Sequence, residues 1–332
     1  MYIVETYTVA VILTVITMLC WGSWANTQKL AAKTWRFELF YWDYVLGILL
    51  FSLILGHTLG STGSQGMGFT DNLRQASWTS FFGALAGGVI FNLANILIVA
   101  AIAIAGMSVA FPIGIGIALV LGVIINYIAK PQGDALLLFS GVALVSLAIV
   151  IDALAYGKKA AQAHKVPAKG IIISIVGGVL MALFYRFVAA SMATNQVSPE
   201  AGMLTPYSAV FIFSLGVLVS NFLFNTILMR KPFEGLPVAY SQYFRGSFKE
   251  HLTGIAGGMI WCVGMSLSIL AANKAGFAIS YGLGQGATLI AALWGVFIWK
   301  EFKNAPKQVN KLLAMMFVLF VAGLGLIILA GS

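Results

Sequence analysis

An all-α polytopic membrane protein, with ten transmembrane helices in two inverted five-helix repeats, is the fold class the sequence predicts. Three observations lead there: the composition, ten apolar runs of spanning length, and an internal repeat. Of 332 residues, 60% are hydrophobic and only 9% charged, against about 25% charged in an ordinary soluble domain. Mean hydropathy is +0.96. A soluble chain of this length could not hide so much apolar surface, so the bilayer is its expected solvent.

The spanning runs fall at about 8–31, 38–57, 79–104, 107–129, 135–157, 169–193, 206–230, 251–272, 276–299 and 309–330. Gly, Pro or charge marks most breaks, as in "GSTGSQGMG", "KPQGD" and "KEFKNAPKQ". The third and fourth runs are separated only by "AGMS", and the eighth and ninth only by "NKAGFA". No Lys or Arg precedes the first run, and its length suits a span rather than a cleavable signal. Cys20 and Cys262 both lie in apolar runs and read as small core residues rather than a disulfide pair.

With ten spans, the odd-numbered connections share one side and the even-numbered ones share the other with both termini. Fifteen of the 19 Lys and Arg fall on the odd side, and only Arg74, Lys130 and Lys274 on the even side. The positive-inside rule therefore puts the odd connections in the cytoplasm and both termini outside. The formal net charge of +9 is then an orientation signal, and no nucleic-acid partner is expected. The expected location is a bacterial inner (plasma) membrane.

Shifted by 170 residues, "AGGVIFNLANILIVAAIAIAGMSVAFPIGIG" lies over "AGGMIWCVGMSLSILAANKAGFAISYGLGQG" without a gap. Gly87, Gly88, Gly106, Gly114 and Gly116 coincide with Gly257, Gly258, Gly276, Gly284 and Gly286. The repeat unit is five spans, which divides the chain at 1–165 and 166–332. Five is odd, so the second unit enters the membrane the other way up, an architecture of carriers with a midplane site. Small residues at these positions let helix backbones approach closely; the functional alternative is a thinned cavity wall.

These features resemble the drug/metabolite transporter superfamily. Within it, "MYIVE", "YWDYVLG", "AGGVIFNLANI" and "LWGVFIWKEF" resemble the plant ureide permeases and the bacterial glucose/ribose and L-rhamnose porters. The resemblance implies secondary transport of a small polar metabolite and leaves sugar and ureide both open. The connection between spans five and six, "GKKAAQAHKVPA", is short where the plant permeases imply a long insert. No glycine-rich phosphate loop of the Walker type occurs, which favours ion coupling or facilitated diffusion and no cofactor.

Polar residues inside a membrane are costly and mark functional sites by default. Trp21, Trp24 and Gln28 fall on one helical face, with Asn26 beside them. An apolar C–H face stacks on indole while hydroxyls or amides pair with side-chain amides, which suits a neutral polar solute. The competing reading is an interfacial aromatic belt. Asn92 and Asn95 in span three serve either substrate or interhelical hydrogen bonds. Trp261, Tyr281, Gln285 and Thr288 supply similar chemistry from spans eight and nine.

Asp43, between Trp42 and Tyr44, corresponds to the span-two acid that the ureide-permease resemblance implies. A carboxylate desolvated by aromatics can load and release a proton, the expectation for symport. The alternatives are pairing with a loop cation or capping a helix. Asp152 and Arg186 are a possible substrate contact or structural charges. His57, His164 and His251 are scattered without a second ligand at metal spacing, so neither a metal nor a catalytic set is expected.

The expected function is a permease importing a small neutral solute by alternating access, most simply a monosaccharide by proton symport. The alternative is a ureide such as allantoin, or a nucleobase-like compound. A membrane enzyme or non-transporting protein is the remote alternative. Topology is directly testable: Ser332→Cys labels with a membrane-impermeant thiol reagent from outside intact cells, and Ala163→Cys does not. The opposite pattern reverses the orientation.

Overall fold

The structure is a computed structural model, and it describes residues 1–31, 34–159, 167–233, 235–303 and 305–332. The expected division at 165/166, the labelling position Ala163 and His164 lie outside the described residues. Ten spans emerge among the described residues. They are Tyr7–Ala31, Phe37–His57, Trp78–Ala105, Met107–Ala129 and Ala135–Lys159, then Ala168–Ala190, Pro206–Arg230, Phe248–Ala275, Phe277–Ile298 and Lys307–Leu329. No β-strand occurs among them, only an isolated bridge between Met192 and Leu204. The bundle is wrapped by exposed apolar side chains such as Ile12, Leu50, Phe82, Phe222 and Val318, the surface a lipid-facing helix requires.

Span eight starts at Phe248, three residues before the sequence-based limit. Ser247 caps it, accepting the Glu250 N–H while Glu250 Oε2 accepts the Ser247 N–H at 2.8 Å. Spans one and nine are the larger departure, because neither is a continuous α-helix. Span one breaks between Tyr7–Ser23 and Ala25–Ala31, with a tight Thr27 N–H to Trp24 O bond of 3.0 Å. Span nine breaks between Phe277–Gly284 and Ala287–Leu293, where Gly286 N–H reaches Leu283 O at 2.9 Å. It then ends in a π-helical turn, Trp294–Ile298. Tight and wide turns inside a helix commonly accompany function.

The repeat offset reappears in the helix boundaries. Trp78–Ala105 and Phe248–Ala275 are each 28 residues long and begin 170 residues apart. Their caps, Ser77 and Ser247, correspond. Both end on a glycine with positive φ, Gly106 at 79° and Gly276 at 85°, a conformation open to glycine and strained for other residues. That single residue reverses the chain into the next span.

Packing crosses between the halves of the chain. Span three lies against spans six and seven, and span eight lies against spans one and two. At the centre of each crossing a glycine touches backbone: Gly88 meets Phe213 O and Gly216, while Gly258 meets Tyr44 O. The reciprocal contacts are Gly216 on Leu85 O and Gly47 on Ile255 O. Leu85 and Ile255 again differ by the repeat offset.

A β-carbon at Gly88 or Gly258 would overlap these carbonyls, whereas nothing lies within 4 Å of one at Gly116. Gly88→Ala and Gly258→Ala should each destabilise by about 1–3 kcal/mol through overpacking. Gly116→Ala should be neutral or slightly stabilising. Thermal unfolding of detergent-solubilised variants reads the difference.

Candidate functional site

The two broken spans meet at a cavity of about 360 Å³ in the middle of the bundle. Trp21, Trp24 and Gln28 of span one form one wall, and Gln285 and Thr288 of span nine another. Trp261, Phe91, Phe184 and Asn95 close it from spans three, six and eight. A second lobe of about 340 Å³ adjoins it, with Gly22, Ala25, Gln28, Thr288 and Ala291 common to both. The second lobe adds Asn26, Lys29, Asp152, Tyr156, Trp299 and Glu301. These residues lie at or near the ends of spans that face the odd connections, so the cavity deepens toward that side.

The even side is shut by polar contacts. Tyr281 OH lies 3.2 Å from both Ala118 O and Met181 O, tying span nine to spans four and six. Its ring fills the space beside Gly122. Tyr185 OH and Ser268 Oγ are 3.0 Å apart, and Ser280 Oγ donates to Ser268 O at 2.7 Å. Nearer the even surface, Asn72 Nδ2 donates to Met203 O at 3.0 Å and Asn72 Oδ1 accepts the Thr205 N–H at 2.8 Å. These bonds join the second and sixth connections.

The indoles are fixed before any solute arrives. Trp21 Nε1 donates to Trp261 O at 3.2 Å, and the two rings stack with centroids 5.9 Å apart. Trp261 stacks in turn on Phe213 at 5.8 Å. Trp21 fits because Gly264 and Gly284 have no side chain where its ring lies. Trp24 leans on Tyr44, centroids 4.7 Å apart. The Gln28 and Gln285 side chains lining the cavity make no hydrogen bond among the described residues, which leaves two amides available to a solute. Thr288 Oγ1 donates to Gln285 O at 3.0 Å.

Asn95 is held from behind. Its Nδ2 donates to Tyr41 OH at 3.1 Å, and Tyr41 OH donates to Asn92 Oδ1 at 2.9 Å. Asn92 Nδ2 then donates to Ser220 Oγ at 2.9 Å. Asn92 is fully buried and lines neither lobe, so it acts as interhelical glue supporting Asn95. Tyr281 likewise lies outside the lining, in the even-side closure. Asn26 lines only the second lobe, where its Oδ1 accepts from Trp299 Nε1 at 2.6 Å.

Asp43 is also outside both lobes. Its carboxyl accepts from Trp35 Nε1 at 2.9 Å and Tyr243 OH at 2.7 Å, with His251 Nδ1 at 2.8 Å. It therefore joins span two to the first and seventh connections and to span eight. Burial and the Asp43 carboxyl beside it push the Tyr243 hydroxyl above its ordinary range, which keeps that hydroxyl a donor. Arg186 is half-buried toward the even end of span six and lines neither lobe. Asp152 lines the second lobe, and its Oδ1 is buried with no partner among the described residues.

Several site residues carry no signal in sequence. Phe91 and Phe184 sit in apolar runs where Phe is common, and Tyr41 gives no hint of its link to both asparagines. Glu301 reads as a loop charge in "WKEFKN", yet the π turn brings it to the second lobe. It accepts from Lys29 Nζ at 2.6 Å and from Tyr156 OH at 2.8 Å.

The ureide permease family model matches residues 40–169 and 158–331 of the chain. Ureide permease 1 of Arabidopsis thaliana is 25% identical, covering 98% of this chain and 98% of its own. Ureide permease 4 of the same plant is 23% identical with the same coverage. A putative sugar uptake protein of Streptococcus agalactiae is 28% identical over 40% of this chain and 47% of its own. A solved crystal structure aligns at TM-score 0.64 and 15% identity, covering 97% of this chain and 96% of that one, a likeness of fold.

Asn92→Ala removes the acceptor for Tyr41 and the donor to Ser220 in a buried site. It should lower stability by about 1–3 kcal/mol, whereas Gln28→Ala, at an amide without a protein partner, should leave the melting temperature nearly unchanged. Thermal unfolding without solute separates the two roles.

Proposed function

The chain belongs to the ureide permease family, and on that premise we propose that it imports a small, neutral, flat and amide-rich solute, a ureide such as allantoin. The observation that carries this reading is the main lobe itself. Indoles supply faces for stacking, and the amides of Gln28 and Gln285, unpartnered among the described residues, with Asn95, supply donors and acceptors on the same lobe. No charged side chain lines that lobe among the described residues, as a neutral solute requires.

The monosaccharide expectation is the weaker of the two. Its support is the partial likeness to a protein named for sugar uptake, while the relatives matched over nearly the full chain are named for ureides. Transport follows alternating access by two inverted five-span halves, with coupling to protons. Both termini face away from the cytoplasm, so the cavity described above opens inward. The even-side closure of Tyr281, Tyr185 and Ser268 is then the outer gate in its shut state.

A thermal-shift comparison tests the reading. Allantoin should raise the melting temperature of the purified protein in proportion to RT ln(1 + [L]/Kd), and glucose should not. A shift with glucose alone would restore the sugar. Trp24→Ala should weaken allantoin binding by about 0.5–1.5 kcal/mol beyond the lost area, with Trp24→Phe milder. Unchanged affinity in Trp24→Ala would assign that ring to an interfacial belt.

A further inference from the structure

The second lobe carries charges that do not balance. Asp152 and Glu301 are the only carboxylates lining either lobe among the described residues, and Lys29 is the only cation. Glu301 has that cation, at 2.6 Å, together with the Tyr156 hydroxyl. Lys29 is further committed by the Trp299 ring, whose centroid lies 4.2 Å from its Nζ. Asp152 thus faces an ion pair that is already complete, and its buried Oδ1 has no partner among the described residues. A carboxylate left this way in a low-dielectric wall is costly, and one bound proton removes the excess charge.

We infer that Asp152 is the proton-carrying group of this carrier, with the self-neutralised Lys29–Glu301 pair fixed beside it. The inference rests on the permease reading but not on which solute is carried. The surroundings of Asp152 support a single exchangeable proton. Its own helix offers Tyr156 and the exposed Lys158; span one offers Lys29. The ninth connection offers Glu301, with Lys300 and Lys303 exposed beyond it, and span ten contributes no residue to the lobe. Span four, also packed on this helix, has Tyr127 as its sole titratable residue, near its even end. Glu301 is a quarter exposed, so the lobe reaches water on the odd side. There the proton leaves the Asp152 oxygen for solvent, and it is regained when the site faces the other way. The solute lobe and the proton lobe share Gln28 and Thr288, so a change at one wall is felt at the other.

Purified protein in liposomes of phosphatidylethanolamine and phosphatidylglycerol tests this with radiolabelled allantoin. Wild type should accumulate allantoin under an imposed pH gradient and also show counterflow at equal pH. Asp152→Asn should lose accumulation and keep counterflow, and Asp152→Glu should recover part of the accumulation. Accumulation that survives in Asp152→Asn, or that depends on a sodium gradient instead, overturns the inference. So does loss in Asp43→Asn with retention in Asp152→Asn. A second measurement needs no solute: dicyclohexylcarbodiimide adds across a protonated carboxylic acid buried in apolar surroundings. Mass spectrometry should find the adduct on Asp152, declining as pH rises, and absent labelling at every pH overturns the assignment. Wild type without allantoin counterflow would sink the ureide reading alone, since the labelling would still report on Asp152.

Discussion

Helices in lipid have no hydrophobic reason to choose one another, because the acyl chains are as apolar as their side chains. What remains is close approach of backbones, and this protein uses it where the two halves of the chain cross. Gly88 against Phe213 O and Gly258 against Tyr44 O hold span three on span seven and span eight on span two. Each pair brings a helix of one half within backbone contact of a helix of the other. Spans three and eight of these pairs also wall the central cavity, together with spans one, four, six and nine.

The same constraint sorts the polar side chains. In a medium without water a buried amide must find a partner in protein or be reached by a solute. Asn92 is satisfied by Tyr41 and Ser220, so it reads as structure. Gln28 and Gln285 have no such partner among the described residues and line the lobe, so the proposed function assigns them to the solute. Asp43, with Trp35, Tyr243 and His251 around its carboxyl, is partnered by protein as Asn92 is. Asp152, whose Oδ1 has no partner among the described residues, lies at a cavity wall as the glutamines do. Residue type does not distinguish these groups, and position relative to the cavity does.

That distinction also marks how far sequence could reach. The ten spans were legible to within a few residues, because spanning length and apolar composition are properties of a contiguous segment. The offset between Gly106 and Gly276 was legible for the same reason, and it survives as the two positive-φ turns. Trp21, Trp24 and Gln28 were recoverable from helical spacing alone, and they do share one wall. The partner of a side chain on another helix is not local, so Asn92 and Asn95 looked alike although only Asn95 reaches the cavity. Glu301 was invisible as a site residue because helical numbering fails across a π turn.

The breaks in spans one and nine lie where the two lobes adjoin. An unbroken helix moves as a rod, so a change at one lobe could reach the other only through a whole-body shift. Here the tightened turns at Trp24 and Gln285 lie between the even-side segments that hold Trp21 and Tyr281 and the odd-side ends that lead to Lys29 and Glu301. Beyond the turns, Trp299 Nε1 to Asn26 Oδ1 at 2.6 Å and Lys29 to Glu301 at 2.6 Å join the odd-side end of span one to that of span nine, while Trp294 Nε1 to Ser23 Oγ at 2.9 Å ties span nine back to the first segment of span one. Under the proposed function, a solute held by Gln28 and Gln285 would bear on both turns, and a proton on Asp152 would bear on the odd-side segments beside it, so that the two would be coupled without direct contact.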